Sequence, residues 1–343
     1  MTSKYLGLLI AIVVVVVSSL VILGFYVVNS VQKPIIPENL PEYTFVIPQG
    51  QSIGEILTGL QRAGVPIADW PTRAYLKFHP ELGRNVQAGE YTLVPGMTVV
   101  ETLEFLSNGQ QQESLTFIEG WRREEYVAYL LEVTGEDFAR EFFELTEDRE
   151  GRLFPDTYFV DDSTTPEKLL DKMTVNYEHK VEPVRNSGLL EEQGLTEDEA
   201  LILASIVERE VADPTDQVIV AGILIKRLQN SWPLETDATV QYTLATEKAQ
   251  INILAAIADP EFVWWPKTLT EADLAVDSPY NTRRNPGLPP GPISNPGLSA
   301  IAAVAEPLTS PYWFYLTDRS GVTRFAETLA EHNQNIDTFG VSE

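Results

Sequence analysis

The chain has no cysteine, which excludes disulfides and thiolate-ligated metals. Histidine is scarce. His79, His179 and His332 lie far apart, and none has a metal-binding spacing such as H-x-x-x-H. Basic residues are also few, 24 against 50 acidic ones, for a net charge of -26. A surface this acidic repels phosphate backbones and sets nucleic acid aside as a partner. G-x-S-x-G occurs once, as GQSIG at Gly50–Gly54, where Ser52 reads as a helix cap in turn chemistry; there is no Walker loop and no dinucleotide fingerprint, so no cofactor is expected. No repeat of solenoid period is present. Carboxylates remain as the available acid–base groups.

What is present suggests several parts. A length of 343 residues allows two or more domains, and 44% hydrophobic with 22% charged residues is ordinary for a folded protein. After a four-residue tail (1–4), residues 5–28 form the uncharged run YLGLLIAIVVVVVSSLVILGFYVV. A spanning helix needs about 20 apolar residues, and this run supplies them. The alternative is a cleaved signal peptide, which has a shorter apolar core and a small-x-small cleavage site; no clear site of that kind follows. Lys4 and the amino terminus favour an inside N-terminus, although Lys33 stands on the other side. The expectation is a single-pass membrane protein with the rest of its chain outside the cytoplasm.

Residues 29–42 carry three prolines and read as a stiff, extended linker. Residues 43–112 show strand–turn–helix twice: YTFVI before a helix with Ile53, Ile56, Leu57 and Leu60 on one side, then AGEYTLV before a helix with Val99, Val100, Leu103 and Leu106. Capping boxes are expected at Ser52/Glu55 and Thr98/Glu101. This is a small α+β module. In 113–343, SLTFI reads as a strand and LFPDTYFV as a strand-like aromatic loop. Helices are expected near Val127–Leu131 and at Phe138–Leu145, Pro166–Val184, Thr196–Ala212 and Val218–Gln229. SPYNTRRNPGLPPGPISNPG has two readings, a flexible linker or a rigid loop lining a groove. Tyr280, Asn281 and Asn295 interleaved with the prolines favour the second. A last helix follows, then a hairpin of YWFYLT and VTRFA around DRSG.

The stretch LILASIVERE (Leu201–Glu210) draws attention because its apolar residues spread almost all round a helix, which should therefore be buried. It ends in two carboxylates, Glu208 and Glu210. A desolvated carboxylate keeps its proton and can act as a general acid. Helical spacing does not choose between the two. Both could also be structural, paired with Arg209 or Lys226.

Six segments occur in order: LFPDTY (Leu153–Tyr158), LASIVERE (Leu203–Glu210), LETDATVQY (Leu234–Tyr242), SPYNT (Ser278–Thr282), GLPPGPISNPG (Gly287–Gly297) and FAETLAEHN (Phe325–Asn333). Together they resemble the endolytic murein transglycosylase (YceG-like) family over roughly Tyr43 to Ile336. The resemblance implies an α+β protein with an N-terminal transmembrane helix, a LysM-like module at 43–112 and a mixed α+β catalytic domain at 113–343 built around a buried catalytic helix. It also implies a cell-membrane lyase whose partners are peptidoglycan strands and, in addition, cell-wall synthesis enzymes. The family's catalytic glutamate matches Glu208. Asp237, Tyr280, Asn281 and Asn295 are then expected to contact sugar. The chain departs from the family pattern at Arg283 (tyrosine), Glu235 (glutamine) and Ala238 (proline). Two alternative functions are a non-catalytic glycan-binding scaffold and a muramidase using Glu208 with Asp237.

Overall fold

The computed structural model describes residues 2–35, 43–84, 86, 88–107, 113–161 and 163–340, with side chains from residue 12 onward. The architecture is mixed α+β, and the chain divides into two compact units: Met1–Ser114 with Phe159–Asp162, and Leu115–Tyr158 with Ser163–Glu343.

In the first unit, α1 (Thr2–Val31) is a single apolar helix. From Ile12 to Tyr26 every residue is exposed, and the segment Ile12–Val31 is long and apolar enough to cross a membrane. The helix continues past Val28, and Val31 and Ile35 are buried in the core of this unit. The Ile35 N–H donates to Met97 O at 2.8 Å. The described start of the proline-rich stretch is therefore packed against the unit; residues 36–42 of the expected linker lie outside the described residues.

Strand β1 (Tyr43–Ile47) precedes α2 (Ile53–Arg62) and α3 (Asp69–Phe78). Strand β2 (Gly89–Leu93) precedes α4 (Val99–Ser107). β1 and β2 pair antiparallel with Phe45 opposite Tyr91. Both capping boxes form: Glu55 accepts from Ser52 and Glu101 from Thr98, each at 2.8 Å on the backbone N–H. Leu57, Leu60, Leu93, Leu103 and Leu106 fill the core. The helix α3 was not expected. Pro71 sits in its first turn, a position proline tolerates because that N–H has no intrahelical partner.

The chain then forms β3 (Glu113–Thr116), α5 (Arg123–Thr134), α6 (Glu136–Leu145), β4 (Thr157–Val160), α7 (Pro166–Arg185), α8 (Leu189–Gln193) and α9 (Glu197–Glu210). These are followed by α10 (Pro214–Gln229), α11 (Asp237–Gln250), α12 (Ile253–Ala258), α13 (Glu271–Leu274) and α14 (Leu298–Ala305). A hairpin, β5 (Phe314–Thr317) and β6 (Thr323–Ala326), and α15 (Leu329–Phe339) complete the order. α9 is the hub of the second core. Its residues from Ala200 to Val207 are all buried, packed with α10 and α14 through Leu203, Ile206, Val220, Leu224, Ala300 and Val304. The hairpin is tied to α10 by buried Arg227, whose guanidinium donates to Trp313 O and Leu234 O.

Candidate active site

Thr196 caps α9, and Glu199 closes the box back onto the Thr196 N–H at 2.9 Å. The helix ends where Val211 turns extended at φ -146°, just before Pro214 opens α10. After the buried run Ala200–Val207, the last turn, Glu208–Glu210, emerges half-buried. This turn delivers both carboxylates.

Neither carboxylate is neutralised by the neighbouring bases. The Arg209 guanidinium lies 3.9 Å over the Trp265 ring and donates to Gly120 O at 3.3 Å. Trp265 in turn donates from Nε1 to Glu125 at 2.9 Å. Lys226 donates to Ser310 O. Glu208 Oε2 instead accepts the Gly297 N–H at 3.0 Å. Burial pushes its carboxyl above the usual carboxylate range, and the nearby Glu119 charge adds to the rise. The Gly297 N–H and Arg209 oppose it. Gly120, at φ +76°, occupies a left-handed conformation beside this side chain. A Cβ there would stand 3.4 Å from Glu208 Cγ.

The loop that carries Gly297 is pinned along α9. The Ile293 N–H donates to Ser205 Oγ at 3.0 Å, and Ser294 Oγ donates to Ser205 O at 3.1 Å. Asn295 exchanges backbone hydrogen bonds with the Gly120–Trp121 segment, each 2.9 Å. Ile293, Ser294 and Asn295 are fully buried, so the proline–glycine stretch is a fixed strap here.

Two residues expected to contact sugar are engaged inside the protein. Asn295 uses its whole amide internally: Oδ1 accepts the Leu153 N–H, and Nδ2 donates to Glu150 and to Trp121 O. Asn281 is likewise fully buried. Its Nδ2 donates to Leu274 O and Val276 O, and its Oδ1 accepts the Arg283 N–H. Both amides hold loops in place rather than presenting free groups. Tyr280 is half-buried with its ring 4.9 Å from that of Tyr242.

Asp237 belongs with Glu210. It is exposed, and the arginine that departs from the family pattern, Arg283, pairs with it, 2.6 Å from Nη2. Glu210 accepts from the Tyr315 hydroxyl at 3.0 Å and from the Ala238 N–H at 3.4 Å. Burial and the Asp237 charge push the Glu210 carboxyl up to about 7. Glu235 holds a left-handed φ of +56°.

The structure also supplies residues that received no role from sequence. Glu119 and Gly120 border Glu208. Glu150 receives Asn295 and the Arg123 N–H, and burial with the Glu124 charge pushes it up to about 8. The only sequence sign of the first pair was the dipeptide Glu-Gly at a strand end. Trp264 and Trp265 are packed against Arg122 and Arg209. Among the described residues, no three acidic or histidine side chains gather as a metal site.

The sequence profile of the YceG-like family matches residues 45–338. The chain belongs to the YceG-like family. Among its relatives, the endolytic murein transglycosylase of Bacillus subtilis (strain 168) is 27% identical over 335 residues, covering 89% of this chain and 87% of that protein. The endolytic murein transglycosylase of Streptococcus pneumoniae serotype 2 is 27% identical over 351 residues, covering 91% of this chain. The chain spans only 60% of that relative's length. The crystal structure of a YceG-like protein from Listeria monocytogenes superposes with a TM-score of 0.51 at 26% identity, covering 85% of this chain and 98% of that one. The YceG-like assignment thus includes both units.

Proposed function

We propose that this YceG-like protein is a membrane-anchored endolytic lytic transglycosylase of peptidoglycan, with Glu208 as its single acid–base residue. Two relatives bear the name endolytic murein transglycosylase. The observation that carries the residue assignment is the setting of Glu208. It is a desolvated carboxyl at the end of a buried helix, held by one backbone N–H and, among the described residues, by no ion pair.

In this reading Glu208 gives its proton to the glycosidic oxygen between N-acetylmuramic acid and N-acetylglucosamine, and the bond from C1 breaks. The resulting carboxylate takes the proton of the muramoyl C6 hydroxyl, whose oxygen closes on C1 as a 1,6-anhydro ring. The nucleophile belongs to the sugar, so neither a second carboxylate nor an activated water is needed. This suits a site in which Asp237 is already committed to Arg283. Tyr280 supplies a half-buried hydroxyl and ring face to sugar, and Asp237 with Arg283 forms a polar edge. α1 anchors the chain with both units outside the cytoplasm. The first unit acts as a LysM-like glycan holder.

The test is digestion of purified peptidoglycan by the full chain in detergent, with fragments weighed by mass spectrometry. The reading requires anhydro ends, each one water lighter than a reducing end. Reducing ends would make the protein a muramidase, and intact glycan would leave it a binding scaffold.

A further inference from the structure

We propose that Glu119 is a positioning residue for the acid: its carboxylate stands against Gly297 and keeps the proton on Glu208. The inference rests on Glu208 being the reacting group. The placement follows from backbone geometry. The Gly120 N–H donates to Asn295 O and the Asn295 N–H donates to Trp121 O. This short reciprocal ladder fixes the segment containing Glu119 beside the segment that ends at Gly297. Gly297 then serves both carboxylates. Its N–H donates to Glu208, while a Cβ added to it would collide with the Glu119 carboxyl group. A side chain here would have to push the Glu119 carboxyl aside; the φ of -74° itself would suit any residue.

Glu119 is exposed, and its carboxylate takes no hydrogen bond from any described residue. Its charge is therefore not consumed by a cap or an ion pair, unlike that of Asp237. Three groups act on Glu208: Glu119 across Gly297, Arg209 on the same helix, and the Gly297 N–H. Arg209 is drawn off to Trp265 and Gly120 O. A nearby negative charge disfavours loss of a proton, so Glu119 supports the burial effect while the other two oppose it. An acid catalyst must carry its proton at working pH. Glu119 thus extends the pH range in which Glu208 can begin the reaction.

The experiment uses the full chain in detergent and two readouts. The first is the titration of Glu208, followed by its carboxylic C=O infrared band and assigned by the loss of that band in Glu208→Gln. The second is the basic limb of the pH–rate profile for release of anhydro ends. In Glu119→Gln both midpoints are expected to fall together by roughly half to one pH unit. Gly297→Ala should do the same by displacing the Glu119 carboxylate. It should add nothing in a Glu119→Ala background. Unchanged Glu208 titration in both Glu119→Gln and Gly297→Ala overturns the inference. Full anhydro-end production by Glu208→Gln would instead overturn the functional reading, and the infrared titration would still report on the pairing.

Discussion

Both units cap helices with exposed glutamates, but the second unit also draws glutamates into its interior. In the first unit Glu55 and Glu101 are exposed and reach back to cap their own helices, and those hydrogen bonds lower their carboxyls below the usual range. In the second unit Glu125, Glu150, Glu208 and Glu210 are drawn into the protein, and burial raises all four. A capping carboxylate is useful because it is ionised. A buried one without a cation is useful because it keeps its proton. What separates the two is whether a backbone donor or the loss of water dominates. That depends on tertiary packing rather than on local sequence.

The largest expected effect comes from removing the buried amide that holds Glu150. Asn295→Ala leaves the Leu153 N–H and Glu150 without their partner in a buried place. The expected loss is about 3 kcal/mol of stability in the second unit, read as a lowered midpoint in urea. A similarly stable variant would show that the strap does not depend on this amide.

The next effect is in pH dependence. Glu150 and Glu210 titrate near 8 and 7 in the folded protein but near 4.5 when unfolded. The native state therefore holds more protons than the unfolded one between these values. Their contribution is fully present below about pH 4.5 and is lost as pH rises through 7 to 8. Stability of the second unit should fall over that window, on the order of 1–3 kcal/mol given partial solvent access. Glu150→Gln with Glu210→Gln should flatten the slope. The capping carboxylates have the opposite sign. Their contribution is present above about pH 4.5 and is lost as pH falls through the depressed folded values, so the first unit should hardly respond between pH 5 and 8. Hydrogen exchange followed by mass spectrometry separates the two units. Equal slopes in both would contradict the comparison.

The smallest effect belongs to the caps. Thr98→Ala removes one partner of the α4 box and should cost about 1 kcal/mol. Faster exchange should be confined to α4; faster exchange across the second unit as well would mean that the caps do more than hold their own helices.

The legible parts of this molecule were those written locally. The apolar run became α1, Thr196/Glu199 capped α9 as the box predicts, and the all-round apolar pattern of LILASIVERE meant burial. α11 was not legible. Its first turns carry Thr239, Val240 and Thr243, β-branched residues that weaken the helix signal, and tertiary packing overrides that preference. α15 was missed although Thr328 and Glu331 form a capping box. The hairpin was legible from its turn, where Asp318 gathers Ser320, Val322 and Arg324.

The site was less legible because its parts meet only in three dimensions. Helical spacing made Glu208 and Glu210 equal, and the structure gives them different company: Gly297 and Glu119 for one, Tyr315 and Asp237 for the other. Asn281 and Asn295 were expected to contact sugar because polar residues interleaved with prolines suggest a rigid loop lining a groove. Their groups are needed to satisfy buried backbone, which sequence cannot display. Glu119 was hidden because its partner lies far along the chain.

In the proposed reaction Glu208, and not Glu210, carries the proton in glycan cleavage. The direct measurement is the rate of anhydro-end release from one peptidoglycan preparation by wild type, Glu208→Gln and Glu210→Gln at the same pH. The expected loss is roughly 10²- to 10⁴-fold for Glu208→Gln, with a rate within about tenfold of wild type for Glu210→Gln, whose amide can still accept from Tyr315. A Glu208→Gln enzyme at wild-type rate, or a loss confined to Glu210→Gln, would contradict it.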